Sequence, residues 1–174
     1  IQRFSDLPTV SPHGYVVEIK GDDTTDFDNY YVKFVANNST VDGTLEEGQW
    51  EECAKPGITF KFDYSTLPHV LLRQSDGNFR FARADGEIYS SSGSQFNLPK
   101  WGERTVGDLD SAPNPSFIGN KINNIFFYRN RLGLLADDNV ILSRVSEFFE
   151  FFRETVLTVV DSDPIDIAAS HTKI

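Results

Sequence analysis

The feature that most constrains the fold of this chain is the length of its apolar runs. β-Branched and aromatic residues occur in short stretches that Gly, Pro, Asn and Asp interrupt, and long stretches with the period of a helix are missing. Connections this short leave no room for helical crossovers, so antiparallel pairing is expected. The predicted strands are residues 15–20, 30–35, 49–53, 59–62, 69–74, 79–84, 125–128, 132–136, 140–143, 155–160 and 165–169.

The same pattern divides the chain into three sections. Residues 1–84 are rich in predicted strands and favour an inserted antiparallel β module. Residues 85–116 contain a serine cluster followed by prolines and glycines with little alternation, which is typical of an extended connector. From residue 117 the strands resume. We therefore expect a mainly β chain in which an antiparallel β-sheet module is joined to part of a β-propeller-like region.

The third section, residues 117–174, carries the clearest strand pattern. Residues 125–152 read as strand, turn, strand, turn, strand and an aromatic end, as in one blade of a propeller or one sheet of a sandwich. The turn is expected at residues 137–139, because Asp and Asn tolerate left-handed backbone geometry. No second copy of the pattern occurs, so a propeller region would be incomplete. The residues predicted to form its core are Phe127, Leu132, Leu134, Ile141, Phe148 and Phe152.

Composition narrows the classes of function. The chain has 174 residues, of which 39% are hydrophobic, enough for a packed core. A formal net charge of −10 opposes binding to nucleic acid. No apolar run approaches the roughly 18 residues of a membrane-spanning helix. Because the sequence starts at Ile1 and contains no Met, we interpret it as a piece of a longer polypeptide.

Metal and disulfide sites have little support. The three histidines, His13, His69 and His171, lie far apart in sequence, and the single cysteine, Cys53, excludes an internal disulfide. The acidic loop at residues 21–29 lacks the spacing of a calcium-binding EF-hand. Counted from Asp22, Phe27 and Lys33 stand where Gly and Glu are required. We predict no metal and no cofactor.

The carboxylates beside Trp50 do not fit a glycosidase, which needs two on one side of a cleft. Glu51 and Glu52 follow Trp50 directly, and adjacent side chains of a strand point to opposite faces. The two carboxylates therefore cannot converge on one bond. Phosphate-binding and nucleophile motifs are also missing. The sequence predicts no catalytic residues and no enzyme.

Two groups of residues are candidates for a structural role. Clustered carboxylates are expected to be exposed, because burying unpaired charges is unfavourable. Arg129 and Arg131 lie two positions apart and, if the strand continues that far, would share one strand face, from which they could pair with Glu147, Glu150 or a neighbouring subunit's carboxylates. The candidate acidic residues are Asp22, Asp23, Asp26, Asp28, Asp137 and Asp138, and the candidate interface residues are Arg129, Arg131, Phe149 and Phe151.

Several sequence blocks carry a resemblance to a known family. The strongest are residues 128–133, 140–144 and 148–152, with further blocks at 14–20, 30–34, 50–52, 67–69, 101–115 and 163–173. In this order they resemble tail tubular protein B, the nozzle protein family of short-tailed phages. The blocks together span most of the chain.

The resemblance implies a structural part of a phage tail, located in the virion. Nozzle subunits form a homo-oligomeric, sixfold ring below the adaptor ring, contact adaptor and fibre proteins, and extend the channel through which phage DNA passes without specific binding. They combine a β-propeller with inserted domains and need no enzymatic activity. An acidic loop facing this channel would hold DNA phosphates off the wall.

An alternative is a tail module that binds or hydrolyses polysaccharide of the host surface. Its support is limited to aromatic residues that could stack on sugars, namely Trp50, Trp101 and Tyr89. A third possibility is an adaptor on which fibres dock. The sequence does not separate the scaffold from the adaptor, which differ only in the surface they use.

Overall fold

The computed structural model describes residues 1–21, 29–38, 43–91 and 94–169. A short 3₁₀ turn at Phe4–Asp6 precedes the strands, and this described part contains no α-helix. It likewise has no helix long and apolar enough to cross a membrane. The strands are β1 (Val10–Pro12), β2 (Val16–Ile19), β3 (Tyr30–Ala36), β4 (Leu45–Cys53), β5 (Val70–Arg73), β6 (Phe79–Ala82), β7 (Ile88–Ser91), β8 (Ser94–Asn97), β9 (Ile122–Tyr128), β10 (Arg131–Ala136), β11 (Asn139–Leu142) and β12 (Ile165–Ala168).

The twelve strands of the described residues pair antiparallel, in two four-stranded sheets and two hairpins. The N-terminal sheet has the order β1-β4-β3-β2, and the C-terminal sheet has the order β12-β11-β10-β9. The hairpins are β5–β6 and β7–β8. The prediction of a mainly β, antiparallel chain is therefore confirmed.

Alternation along β3 gives the N-terminal sheet its buried face. Val32, Phe34 and Ala36 are buried there, while Lys33 between them is exposed. Phe34 lies opposite Trp50 of β4, and their ring centroids are 5.1 Å apart. Gly48 faces Ala36 across the same strand pair, where a Cβ would overlap the carbonyl oxygen of Val35. The sheet thus depends on a glycine where the two strands approach closely.

The C-terminal sheet is a meander in which consecutive strands are neighbours. Arg129 and Asn130 form the two-residue turn between β9 and β10 with φ of 46° and 57°, as a type I′ turn requires. Ala136 pairs with Asn139, so Asp137 and Asp138 form the next turn. The turn predicted at residues 137–139 is confirmed.

Irregular segments, and not a second sheet, cover the buried face of the C-terminal sheet. Leu132, Leu134, Ala136 and Ile141 pack in one cluster with aromatic side chains from outside the sheet. Those aromatic residues, joined by ring contacts of 5.0 to 5.9 Å, are Phe62, Trp101, Phe117, Phe151 and Phe152. The largest core of the described chain is therefore aromatic and mostly non-strand.

Some predicted strands are wrong. Residues 59–62 and 155–160 form no strand, and the section expected to be an extended connector contains the β7–β8 hairpin. Phe62 enters the aromatic core from a bend, while residues 155 and 156 bind a side chain of β4. The sequence pattern did not predict the β7–β8 hairpin, because its strand residues are mostly Ser, Gln and Asn and few are β-branched or aromatic.

Two of the six predicted core residues are also wrong. Leu132, Leu134, Ile141 and Phe152 are buried as expected, but Phe127 is 70% exposed and Phe148 is 40% exposed. β9 is an edge strand, so the side of Phe127 away from β10 has no neighbouring strand. The Phe127 and Phe148 rings contact each other edge to face at 5.4 Å on the outside of the core.

Candidate functional site

The acidic candidates fall into two groups. Asp137 and Asp138 are exposed in the β10–β11 turn, and the carbonyl of Asp138 accepts a hydrogen bond from the backbone N–H of Ala169. Their exposure agrees with the expectation for this turn. The other four, Asp22, Asp23, Asp26 and Asp28, lie outside the described residues.

The two arginine candidates differ in burial. Arg129 stands in the β9–β10 turn, exposed, with its guanidinium 5.4 Å from the centre of the Tyr128 ring. Arg131 begins β10 and is only 6% exposed. The expectation of one shared strand face is wrong because the chain turns between the two residues.

The Arg131 side chain connects β10 to two other backbone segments by hydrogen bonds. Its Nη1 donates to the carbonyls of Ser143 and Asp163, each at 2.6 Å, and its Nη2 donates to the carbonyl of Asp161 at 2.6 Å. These acceptors belong to the end of β11 and to the loop that precedes β12. The expected pairing of Arg131 with Glu147 or Glu150 is therefore replaced by backbone carbonyls. Its side chain serves the fold and offers no surface for a contact with another chain.

Ser143 and Asp163 extend this buried polar cluster. Ser143 Oγ accepts a hydrogen bond from the Leu132 N–H at 3.0 Å and donates to the Arg144 carbonyl at 3.0 Å. The Asp163 carboxylate accepts from the Val160 N–H at 3.2 Å and lies 3.6 Å from the Nε of Arg153. Such a network fixes the position of the irregular residues 143–164 relative to the sheet.

The two phenylalanine candidates also lie inward. Phe151 is buried, in edge-to-face contact with Phe117 at 5.2 Å. Phe149 is half-buried against Trp101, with ring centroids 5.0 Å apart. Phe151, which was expected at an interface, therefore belongs to the core. Only part of the Phe149 side chain is exposed to solvent.

Sequence reasoning missed the residues that connect distant segments. The Arg104 guanidinium donates to the carbonyls of Thr59 and Ala112 and to the Asn114 side chain, above the ring of Phe152. Nothing in its local sequence marks it as buried, because these acceptors are brought to it only by folding.

Glu52 joins the N-terminal sheet to the C-terminal section. Its carboxylate accepts hydrogen bonds from Thr155 Oγ1 at 2.6 Å and from the Val156 N–H at 2.8 Å. Glu51 points the other way, exposed and opposite Lys33 of β3. The predicted opposite orientation of the two glutamates is confirmed. Glu52 links the two parts of the chain, whereas Glu51 lies on the surface.

A cleft of about 340 Å³ is lined by a cluster of charged side chains. Lys100 pairs with Glu103 at 2.7 Å, and Arg144 pairs with Glu147 at 3.2 Å. The hydrogen bond from Lys100 lowers the pKa of Glu103. Burial, and then the charge of Glu147, raise the pKa of Glu150. Cations and carboxylates both line the cleft, and four of them are paired with each other.

The described residues offer little to metal or sugar chemistry. No group of three His, Cys, Asp or Glu side chains within them could hold a metal ion. Trp101 is 1% exposed, and Trp50 donates its Nε1–H to the Pro8 carbonyl at 2.8 Å while contacting Phe34. Tyr89 lies beneath the Arg80 guanidinium. All three aromatic residues considered for sugar stacking are engaged within the chain.

Comparison with known proteins finds phage tail proteins along the whole length. The model of the bacteriophage nozzle protein family matches residues 1–174. Tail tubular protein gp12 of Escherichia phage T7 is 37% identical over 173 residues, which cover 99% of this chain. The chain spans only 19% of the length of that curated relative.

Proposed function

Because the chain belongs to the bacteriophage nozzle protein family, we propose that it is a rigid β section in the wall of a phage tail tube. The observation that carries the proposal is the family match over all 174 residues. We propose no catalytic role. A wall element must hold its shape while DNA passes, and it needs no site at which a substrate reacts.

The buried polar network supports a rigid role. Arg131 and Arg104 together bind six oxygens, five backbone carbonyls and one side-chain oxygen, at or below 2.8 Å, and their acceptors come from segments far apart in sequence. Hydrogen bonds from a charged donor are about twice as strong as neutral ones. Irregular segments held in this way resist the local opening that is common in long loops.

We further propose that residues 1–84 form an inserted module, that residues 85–116 connect it, and that residues 117–174 form part of a propeller-like blade. The meander order of the C-terminal sheet supports the blade, because propeller blades are four-stranded antiparallel sheets. The aromatic cover on one face of that sheet leaves its other face for a neighbouring sheet.

The assembly we propose is a homo-oligomeric, sixfold ring that contacts adaptor and fibre proteins of the tail and surrounds the DNA passage. Exposed carboxylates at Asp137 and Asp138, in a chain of net charge −10, support a wall that repels phosphates. Asp22, Asp23, Asp26 and Asp28 are proposed as a second acidic loop at the passage.

Imaging of tails tests the wall role. A small tag inserted after Gly119, which lies in an exposed turn with open space around it, should appear as density repeated around the tail axis. Tags absent from the tail, or present only on fibres, would contradict the proposal.

Charge reversal tests the acidic loop separately. Replacing Asp22, Asp23, Asp26 and Asp28 by Lys should slow DNA ejection at low salt, with recovery at high salt because counterions screen the new contact. The matched control replaces the same four residues by Asn and should have a smaller effect. Equal rates of DNA ejection for the wild-type, Lys and Asn versions of this loop, at every salt concentration, would contradict the channel-facing role.

A further inference from the structure

The β5–β6 hairpin presents an apolar face that nothing in the described chain covers. Its register pairs Leu71 with Phe81 and Arg73 with Phe79, so these four side chains share one face. Leu71, Phe79 and Phe81 are 63%, 64% and 71% exposed. A contiguous exposed apolar face of this kind marks a contact surface, whereas single exposed apolar residues are ordinary.

The inner face of the hairpin is anchored, which makes the outer face a fixed platform. Val70 packs against the aromatic core, and Arg80 lies on the ring of Tyr89. The His69 ring stacks on Phe81 at 5.3 Å, at the end of the outer face. A two-stranded hairpin is only marginally stable in water by itself, so contacts on both faces would stabilise it.

The charge of this outer face differs from that of the chain as a whole. Its charged side chain is Arg73, for which the described residues supply no ion-pair partner. Asp76, in the hairpin turn, is engaged by the backbone and side chain of Asn78. A cation among apolar residues fits an acidic, partly apolar partner surface.

The open face of the N-terminal sheet is apolar and acidic around Leu45 and Glu47, while the exposed Lys33 lies opposite Glu51 farther along β4. Leu45, Glu47 and Glu51 alternate along β4 on the face opposite Trp50, and all three are exposed. Val10 lies directly opposite Glu47 and is also exposed. Leu45 is 72% exposed, as much as Phe81 on the hairpin.

From these two faces we infer that copies of the chain dock head to tail, with the outer face of the β5–β6 hairpin on the open face of the next copy's N-terminal sheet. Phe79 and Phe81 contact Leu45 and Val10, and Arg73 pairs with Glu47. Contacts between two different surfaces repeat from copy to copy and form a ring where the rotation between copies closes. The inference rests on the ring proposed above and names the surfaces that build it.

Cross-linking in assembled tails tests this contact. A variant with both Leu45→Cys and Phe81→Cys, treated with a short bis-maleimide linker, should give a ladder of covalent oligomers larger than a dimer. Each single replacement, with the native Cys53 retained, is the control and should give no ladder. The absence of a ladder, or a ladder from either control, overturns the docking inference. Tagged tails that show a ring but no ladder leave the proposed ring intact, whereas tails without a ring remove both.

A charge swap gives an independent measurement. Arg73→Glu and Glu47→Arg should each lower the yield of infectious particles about tenfold or more, because like charges would then face each other. The double variant reverses both faces in every copy and should restore the yield. Both residues are exposed, so rescue by the double variant separates a lost contact from a misfolded chain. Unchanged yields in the single variants, or no rescue in the double variant, overturn the inference.

Discussion

The two four-stranded sheets of this chain are stabilised by different kinds of packing. The N-terminal sheet buries a row of its own side chains, Val32, Phe34 and Ala36, and none of its described residues belongs to the aromatic core. The C-terminal sheet instead packs on aromatic rings supplied by irregular segments. The two sheets therefore bury their apolar faces in different ways. The irregular segments between the strands supply most of the residues that cover the C-terminal sheet.

The connection between the two sheets is polar and local. Glu52 of β4 binds Thr155 and Val156, and the Lys55 N–H donates to the Gly107 carbonyl at 2.8 Å. These contacts fix the orientation of the sheets without merging their cores. Three experiments test whether the two sheets are stabilised in these different ways.

The largest effect is expected in the aromatic core. Phe152→Ala removes a ring that is 4% exposed and stacks on Phe62 at 5.0 Å, so it should lower the free energy of unfolding by about 3–5 kcal/mol. Phe148→Ala, four residues away and outside the core, is the matched control and should lose less than about 1.5 kcal/mol. Urea unfolding measures both, and equal losses would contradict the assignment of the core.

A smaller effect is expected at the link between the sheets. Glu52→Gln and Thr155→Val should each cost about 1–3 kcal/mol, because each removes part of a charge-assisted hydrogen bond. A double-mutant cycle should give a coupling energy of about 0.5–3 kcal/mol. Glu51→Gln, which alters the adjacent exposed residue, should change stability by no more than about 0.5 kcal/mol. Additive losses for Glu52 and Thr155 would show that the link is not formed.

The smallest effect depends on pH. The pKa of Glu150 is raised, so the folded chain binds this proton more tightly than the unfolded chain does. Stability is therefore lost as pH rises through the interval from the ordinary Glu value to the raised one. Glu150→Gln should make the chain more stable at neutral pH, with no gain once the pH is below the ordinary Glu value.

Glu103 provides a control of opposite sign for this experiment. Its pKa is lowered by Lys100, so Glu103 contributes stability above the ordinary Glu value that is lost as pH falls through the lowered one. Glu103→Gln should slightly destabilise the chain at neutral pH and have no effect in strong acid. Thermal unfolding across pH compares the two, and parallel curves for both variants would contradict the opposite assignments.

The features that depend on neighbouring residues could be predicted from the amino-acid sequence alone. Apolar runs of strand length set the strand class, the Asp137–Asp138 turn followed from residues that tolerate left-handed geometry, and alternation separated Glu51 from Glu52. These features were predictable because strand periodicity and turn chemistry act over a few residues.

The burial of particular polar and aromatic side chains depends instead on the tertiary fold. Phe127 and Phe152 are the same residue type in strongly apolar stretches, yet one lies on an edge strand and the other beneath a sheet. Arg131 looks like a surface residue until folding brings the carbonyls of residues 143, 161 and 163 around it. Burial depends on contacts between segments far apart in the chain, and the local pattern that specifies a strand carries no information about which segment will cover it.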